Sequence, residues 1–243
     1  MHTSLLTPAQ SPSLPHPQNP AWHTDCAGAF SSAQSSSPPH AQRWLDGDLL
    51  SRVSRAAHNW LGDDAPLMVD ANQQWSRPAA LRMGRALEAF NLVWIEEPLD
   101  AYDHEGHAAL AARFDTPIAT GEMLTSAAEH ADLIRHRAAD WLMPDAPRVG
   151  GITPFLKIAT QAEQAGLLIA PHFAMELHVH LAAAYPVGDP WVEHFDWLEP
   201  LFNERLEIAN GRMLVPTRPG LGLSLSEQAR AWTRQTAEFG LRP

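Results

Sequence analysis

The chain has 243 residues, 45% of them hydrophobic, enough for one sizeable α/β core or a core plus a tail. A formal charge of −11, from 17 basic and 28 acidic residues with no Lys/Arg run, argues against nucleic-acid and anionic-membrane partners. Cys26 is the only cysteine, which excludes an intrachain disulfide framework and a cysteine-built metal centre.

The expected location is the cytoplasm. No apolar stretch approaches membrane-spanning length, and the "SLL" near the N-terminus is shorter than the apolar region of a signal peptide. Residues 1–42 are loaded with Pro, Ser, His and Gln and show neither helical nor strand periodicity, so they are expected to be disordered, with no regular strand. Residues 43–64 fit one helix, with Leu49, Val53 and Ala57 four apart on one face and Gly62 as its stop. The domain division follows: residues 1–57 form a Pro-Ser-rich segment with a helix near 45–60, and residues 58–243 form the folded domain.

After residue 65 short apolar runs alternate with helical segments. The runs are "PLMVD", "LVWIE", "TPIATGE", "WLMPD" and "LLIAPH". Residues 77–90 carry Ala80, Met83, Leu87 and Phe90 on one helical face, and Ser76 before Pro78 is a sound helix start. Strands alternating with helices imply parallel βαβ units in a TIM-like barrel or a doubly wound sheet. The Trp residues at 94, 141, 191 and 197 read as core and barrel-wall packing.

The polar residues that end the runs carry the chemistry. Asp70, Glu96, Glu122, Asp145 and His172 follow one another at intervals of 26, 26, 23 and 27 residues, each one strand, helix and connection long. In consecutive barrel units, all five project from the carboxyl ends of neighbouring strands, where barrel enzymes keep their chemistry. A single acid after a strand is commonly a helix cap, but isolated caps have no reason to keep one register. Three such acids repel one another unless a hard divalent cation sits among them, and Mg²⁺ is the natural occupant of an oxygen set. His172, one unit after Asp145, fits a general base whose tautomer a carboxylate fixes.

The stretches "LMVDANQQW", "WIEEPLDAYD", "TPIATGEMLTS", "PDAPRVGGITPFLKI" and "APHFAMELHVHLAAAYP" resemble the mandelate racemase subgroup of the enolase superfamily, in particular its acid-sugar dehydratases, from about residue 59 to the C-terminus. The resemblance implies a modified TIM barrel, here incomplete (about strands 3–8) and without the family's N-terminal capping domain. It implies Asp70, Glu96 and Glu122 as Mg²⁺ ligands, leaving Glu97 as the neighbour of a ligand, and Asp145 and His172 as the catalytic dyad. Glu193 in "PWVEHFD" matches the acid that hydrogen-bonds the substrate carboxylate in its enolate-like state, with Glu199 in "DWLEP" as the fallback. The implied reaction is a lyase reaction: α-proton abstraction from a sugar acid such as galactarate or L-talarate, then loss of the β-hydroxyl. The alternatives are a catalytically inactive remnant that keeps the metal site and a racemase or epimerase of a 2-hydroxy acid.

One departure is plain. The family carries a Lys-x-Lys pair on its second barrel strand, whereas Lys157, in "TPFLKIA", is the only lysine of this chain. An open barrel would expose strand edges, so association into a homo-oligomer is an expectation. "HVH" at 178–180 sits in a helical segment, where positions i and i+2 do not face one another, so core or surface histidines are expected rather than ligands. "RVGG" at 148–151 is a turn signal that starts the next helix or makes room for substrate, with a phosphate loop as the weaker alternative. Arg148 and His178 are the residues expected to substitute if another group replaces the missing lysine.

Overall fold

A computed structural model describes residues 4–6, 54–57, 59, 62, 65–185 and 190–235. The chain divides into two compact units. One comprises residues 8–121 and 132–141, the other residues 1–7, 122–131 and 142–243.

The first unit is built on parallel strands β2 (Val69–Asp70), β3 (Ile95–Glu96) and β4 (Ile118–Thr120). Their ladder includes Ala71 N–H to Glu96 O (2.9 Å), Ile95 N–H to Pro117 O (2.9 Å) and Glu97 N–H to Ala119 O (2.9 Å). Helix α1 (Arg77–Leu87) follows β2 and α2 (His104–Ala111) follows β3. Ser76 caps α1 as its position suggests, its hydroxyl accepting from Ala79 N–H, and Ala80, Met83 and Leu87 are buried. Gly84 is buried among them, and a Cβ there would collide with the Phe114 ring. That close approach offsets the helix-propensity cost of glycine, about 1 kcal/mol. Leu87, Ile95, Leu99 and Ile118 form the fully buried centre of this core.

In the second unit, helix α3 (Ala127–Arg135) has its first residues here and its last in the first unit, and strand β5 (Trp141–Leu142) likewise crosses between them. Beyond Leu142 the chain makes α4 (Ile152–Ala165), β6 (Leu168–Ile169) and α5 (Met175–Ala184). Ala170 N–H donates to Leu142 O (3.0 Å) and His172 N–H to Pro144 O (3.4 Å). Both sides of this ladder advance together, which is parallel pairing. Helix α4 buries Phe155, Ile158, Ala159 and Ala162, an i, i+3, i+4, i+7 stripe, between Gly151 (φ 109°) and Gly166 (φ 72°). "RVGG" is therefore the turn that starts α4.

A hairpin follows, β7 (Ile208–Ala209) and β8 (Arg212–Leu214), joined by Asn210 and Gly211 at φ 52° and 72°. Two consecutive positive φ values at Asn-Gly make the turn whose twist suits a tight hairpin. This "NG" is a signal that the sequence reading passed over. A short helix, α6 (Glu227–Trp232), comes last and is capped by Ser226. Met175, Val179, Ala182, Val192 and Met213 form a core cluster of this unit.

Two expectations need correction. Residues 1–42 were expected to hold no strand, yet β1 (Ser4–Leu6) pairs antiparallel with β8, Ser4 opposite Leu214 and Leu6 opposite Arg212. Composition reports how much apolar surface a segment can bury, whereas an edge strand offers backbone donors and acceptors to any extended segment. The remainder of 1–42 lies outside the described residues, as does most of the helix expected near 45–60, of which 54–57 and 59 are helical. The second correction concerns Trp197, which is 59% exposed rather than core, its ring stacked on Phe195 at 4.8 Å. Trp94 is buried as expected and lies 5.3 Å from the Trp141 ring. No helix among the described residues is long and apolar enough to cross a membrane.

Candidate functional site

The candidate residues fall into two groups, one in each unit. In the first unit Asp70 and Glu96 are register partners at the carboxyl ends of β2 and β3. Adjacent strands lie about 4.8 Å apart, so two carboxylates leave the sheet side by side on one face. Asp70 is fixed by Asn72, whose backbone N–H reaches Oδ1 (2.8 Å) and whose side chain donates to Oδ2 (2.7 Å). Glu96 is buried at 8% exposure and accepts from the Trp94 indole N–H (3.1 Å). Glu97 answers a different need. At φ 36° it turns the chain out of the strand, its side chain is buried, and it accepts from Gln73 Nε2 (2.8 Å). Two carboxylates at neighbouring strand ends repel one another unless a counter-charge joins them, and hard oxygen ligands of this kind suit Mg²⁺.

In the second unit Glu122, Asp145, His172 and Glu193 come together. The His172 ring stands between two carboxylates, Nδ1 3.0 Å from Asp145 Oδ2 and Nε2 3.4 Å from Glu122 Oε2. The expected dyad hydrogen bond is therefore formed. Asp145 is also held by Arg148 N–H on Oδ1 (2.9 Å), and the Arg148 guanidinium lies 3.8 Å from Oδ2. Glu193 accepts from Phe173 N–H, the residue after His172. Glu199 instead pairs with Arg205 at 2.9 Å.

The electrostatics of this group favour an ion pair. Burial works against an imidazolium at His172, but the hydrogen bond to Asp145 and the charges of Glu122 and Glu193 outweigh it, and its pKa is raised. Burial likewise works against ionised Asp145, yet the His172 bond and the Arg148 N–H leave its carboxyl below the ordinary value. A base that gains its proton beside such partners holds it well.

The "HVH" histidines take unlike partners. His178 is fully buried and His180 Nε2 meets Leu221 O at 3.1 Å. Lys157 is exposed on α4. Sequence reasoning missed a further cluster in the first unit, where Asp132 and His136 lie one turn apart near the end of α3 and His104 begins α2. Asp132 bonds His104 Nδ1 (2.9 Å) and Arg135 (2.5 Å), so its charge is already matched by an ion-pair network. The i, i+4 spacing of Asp132 and His136 was its only sequence signal. Exposed His194 and Asp196 group with Glu199 in the second unit.

Residues 43–229 match the family described as Enolase C-terminal domain-like. The chain belongs to that family. Over 188 residues it is 66% identical to L-talarate/galactarate dehydratase of Salmonella typhimurium LT2, which covers 77% of this chain and 47% of that protein. It is 36% identical over 176 residues to 3,6-anhydro-alpha-L-galactonate cycloisomerase of Streptomyces coelicolor, covering 72% of this chain and 48% of that one. Among solved structures, L-talarate dehydratase of Polaromonas sp. JS666, complexed with Mg and L-glucarate, superposes with a TM-score of 0.78 at 77% identity, covering 81% of this chain and 55% of that one. The chain thus spans about half the length of these relatives. The alternation of parallel strands and helices is the TIM-barrel-like arrangement of the family, as the sequence resemblance implied.

Buried histidines set an expected pH response. His107 and His178 are fully buried, and burial lowers both pKa values. Each is neutral in the fold, so the unfolded chain takes up a proton first as pH falls below the ordinary imidazole value of 6.5. Their stability contribution is present above that value and is lost as pH falls toward the lowered pKa. The slope approaches about 1.4 kcal/mol per pH unit for each histidine. His172, shifted upward, contributes in the opposite sense, and its contribution is already complete below 6.5. Urea midpoints measured between pH 6.5 and 5 should fall steadily. A flat profile would show that neither ring is held neutral by the fold.

Proposed function

We propose that this chain carries the proton-abstracting site of an Mg²⁺-dependent acid-sugar dehydratase acting on galactarate or L-talarate. The observation that carries the reading is the His172 ring held between Asp145 and Glu122, on a chain 66% identical to a talarate/galactarate dehydratase over the matching region. Asp70, Glu96 and Glu122 are the proposed ligands. Each would offer a carboxylate oxygen, the donor type that Mg²⁺ prefers, and the three follow successive apolar runs of the sequence. When bound, Mg²⁺ supplies Lewis-acid stabilisation of the enolate that follows loss of the α-proton.

The chain's own groups do the rest. Asp145 fixes the tautomer by accepting from His172 Nδ1–H, which leaves Nε2 with the lone pair that takes the substrate proton. The resulting imidazolium is stabilised by Asp145 and Glu193 and can return its proton to the departing β-hydroxyl. The bond from Phe173 N–H to Glu193 supports this acid as the one that shares a proton with the substrate carboxylate. The product is a 2-keto-3-deoxy sugar acid. The expected setting is the cytoplasm, with a sugar acid as ligand and association into a homo-oligomer. The net charge of −11 supports partners other than nucleic acid and anionic membranes.

A second reading, metal binding with little turnover, is favoured by one observation: the only lysine, Lys157, is exposed on α4 rather than placed as an acid or base. The experiment separates the two. Purified 243-residue chain is titrated with Mg²⁺ by calorimetry, then incubated with Mg²⁺ and galactarate or L-talarate and assayed for 2-keto-3-deoxy product. Binding that is weakened about 100-fold or more by Glu96→Gln supports the ligand set, since even partners that only support a ligand cost 10–100-fold. Product formation supports the dehydratase reading, and binding without product supports the second. Mg²⁺ binding that is indifferent to Glu96→Gln counts against the ligand set.

A further inference from the structure

We infer that His178 is a positioning residue that locks Asp145 and His172 into their hydrogen-bonded geometry by tying together the two backbone segments that carry them. The Ala146 N–H donates to His178 Nε2 (3.1 Å), and His178 Nδ1 meets Phe173 O at 2.8 Å. Ala146 directly follows Asp145, and Phe173 directly follows His172. One imidazole thus spans the gap between the two loops at the residue next to each dyad member.

The chemistry of the two contacts leaves one protonation state. An amide N–H can only donate, so Nε2 must be the unprotonated acceptor, and a carbonyl can only accept, so Nδ1 must carry the hydrogen. A neutral Nδ1–H ring satisfies both, and a protonated ring would lose the Ala146 bond. The surroundings enforce neutrality, because the residue is fully buried and Phe155 stacks against its ring at 5.6 Å and 30°.

The loop that His178 holds needs holding. Phe173 and Ala174 have φ of 55° and 27°, a region that side-chain-bearing residues enter at a cost, and Ala174 has no side chain to cap the start of α5. His178 N–H bonds Ala174 O (2.9 Å) while the His178 ring takes Phe173 O, so the same residue secures the turn through its backbone and its side chain. Released, this turn would relax toward ordinary φ values and carry His172 away from Asp145. The "HVH" motif thereby has an assignment for its first histidine that requires no metal.

The inference rests on the proposed function only in giving the dyad its task, and its test reads the dyad bond rather than turnover. In the full chain, the His172 Nδ1–H shared with Asp145 should give a downfield imidazole proton resonance, and the His178 nitrogens should show the Nδ1–H tautomer. His178→Leu is expected to abolish the downfield resonance and to make Ala146 N–H exchange about tenfold faster, the loss of one buried hydrogen bond. His178→Gln, whose amide can donate to Phe173 O and accept from Ala146 N–H, is expected to restore both signals. A folded His178→Leu chain that keeps the downfield resonance overturns the inference, as does a wild-type His178 ring protonated on Nε2. If His178→Leu fails to fold, failure of His178→Gln to retain the resonance overturns it equally. The dehydration assay is independent of these signals, so failure of the proposed function leaves a different trace.

Discussion

Replacing His172 with Asn should slow exchange of the substrate α-proton with solvent deuterium by about 10²–10⁴-fold, the usual contribution of one general acid–base group. Proton exchange is the appropriate measurement because it requires only the base and stabilisation of the enolate, not departure of the β-hydroxyl. The reaction is followed by proton NMR of galactarate in D₂O with Mg²⁺, comparing wild type with His172→Asn. His172 Nε2 lies 3.4 Å from Glu122, so Mg²⁺ affinity is measured on the same variant to separate loss of the base from a disturbed ligand. Exchange that continues at the wild-type rate with unchanged Mg²⁺ affinity would move the base to another residue and remove the role assigned to Asp145.

Phe155→Ala should lower stability by about 3–5 kcal/mol, since a fully buried aromatic loses both its transfer free energy and the contacts around the void it leaves. Phe155 is at 0% exposure on the buried stripe of α4, and its ring stacks on His178. At about 2–4 °C per kcal/mol for a chain of this size, Tm should fall by about 6–20 °C. Urea unfolding and thermal melting both read this. A loss below about 1 kcal/mol would show that neighbouring side chains refill the space. The same substitution frees one face of the His178 ring, so Ala146 N–H should exchange faster in the variant even well below its melting temperature.

Much of the arrangement was legible in the sequence because it follows from local rules. Five apolar runs ending in polar residues mark five of the strands, and Ser76 with the 3.6-residue spacing of Ala80, Met83 and Leu87 marks α1. Asp145 and His172 were paired from the length of one βαβ unit, because a parallel register carries equivalent strand ends to the same level. Asp70 opposite Glu96 is the same rule in its simplest form. What composition could not show was β1, since backbone pairing at an edge is indifferent to side chains.

The sequence by itself determined which residue types occur and at what interval: carboxylates and an imidazole at strand ends, no cysteine ligands, one lysine. Those are properties of chemical identity and of a repeating unit of fixed length. Only the tertiary structure gave Glu193 and Glu199 their different partners, because which backbone N–H and which arginine each of two acids six residues apart meets depends on how the chain packs. Tertiary structure also gave His178 its task. Its two partners lie 32 residues before it and 5 residues before it, joined to no periodic pattern, and only the packing of α5 brings both within reach of one ring. Local periodicity is written in the chain, whereas a contact between unlike loops depends on how all the elements between them pack.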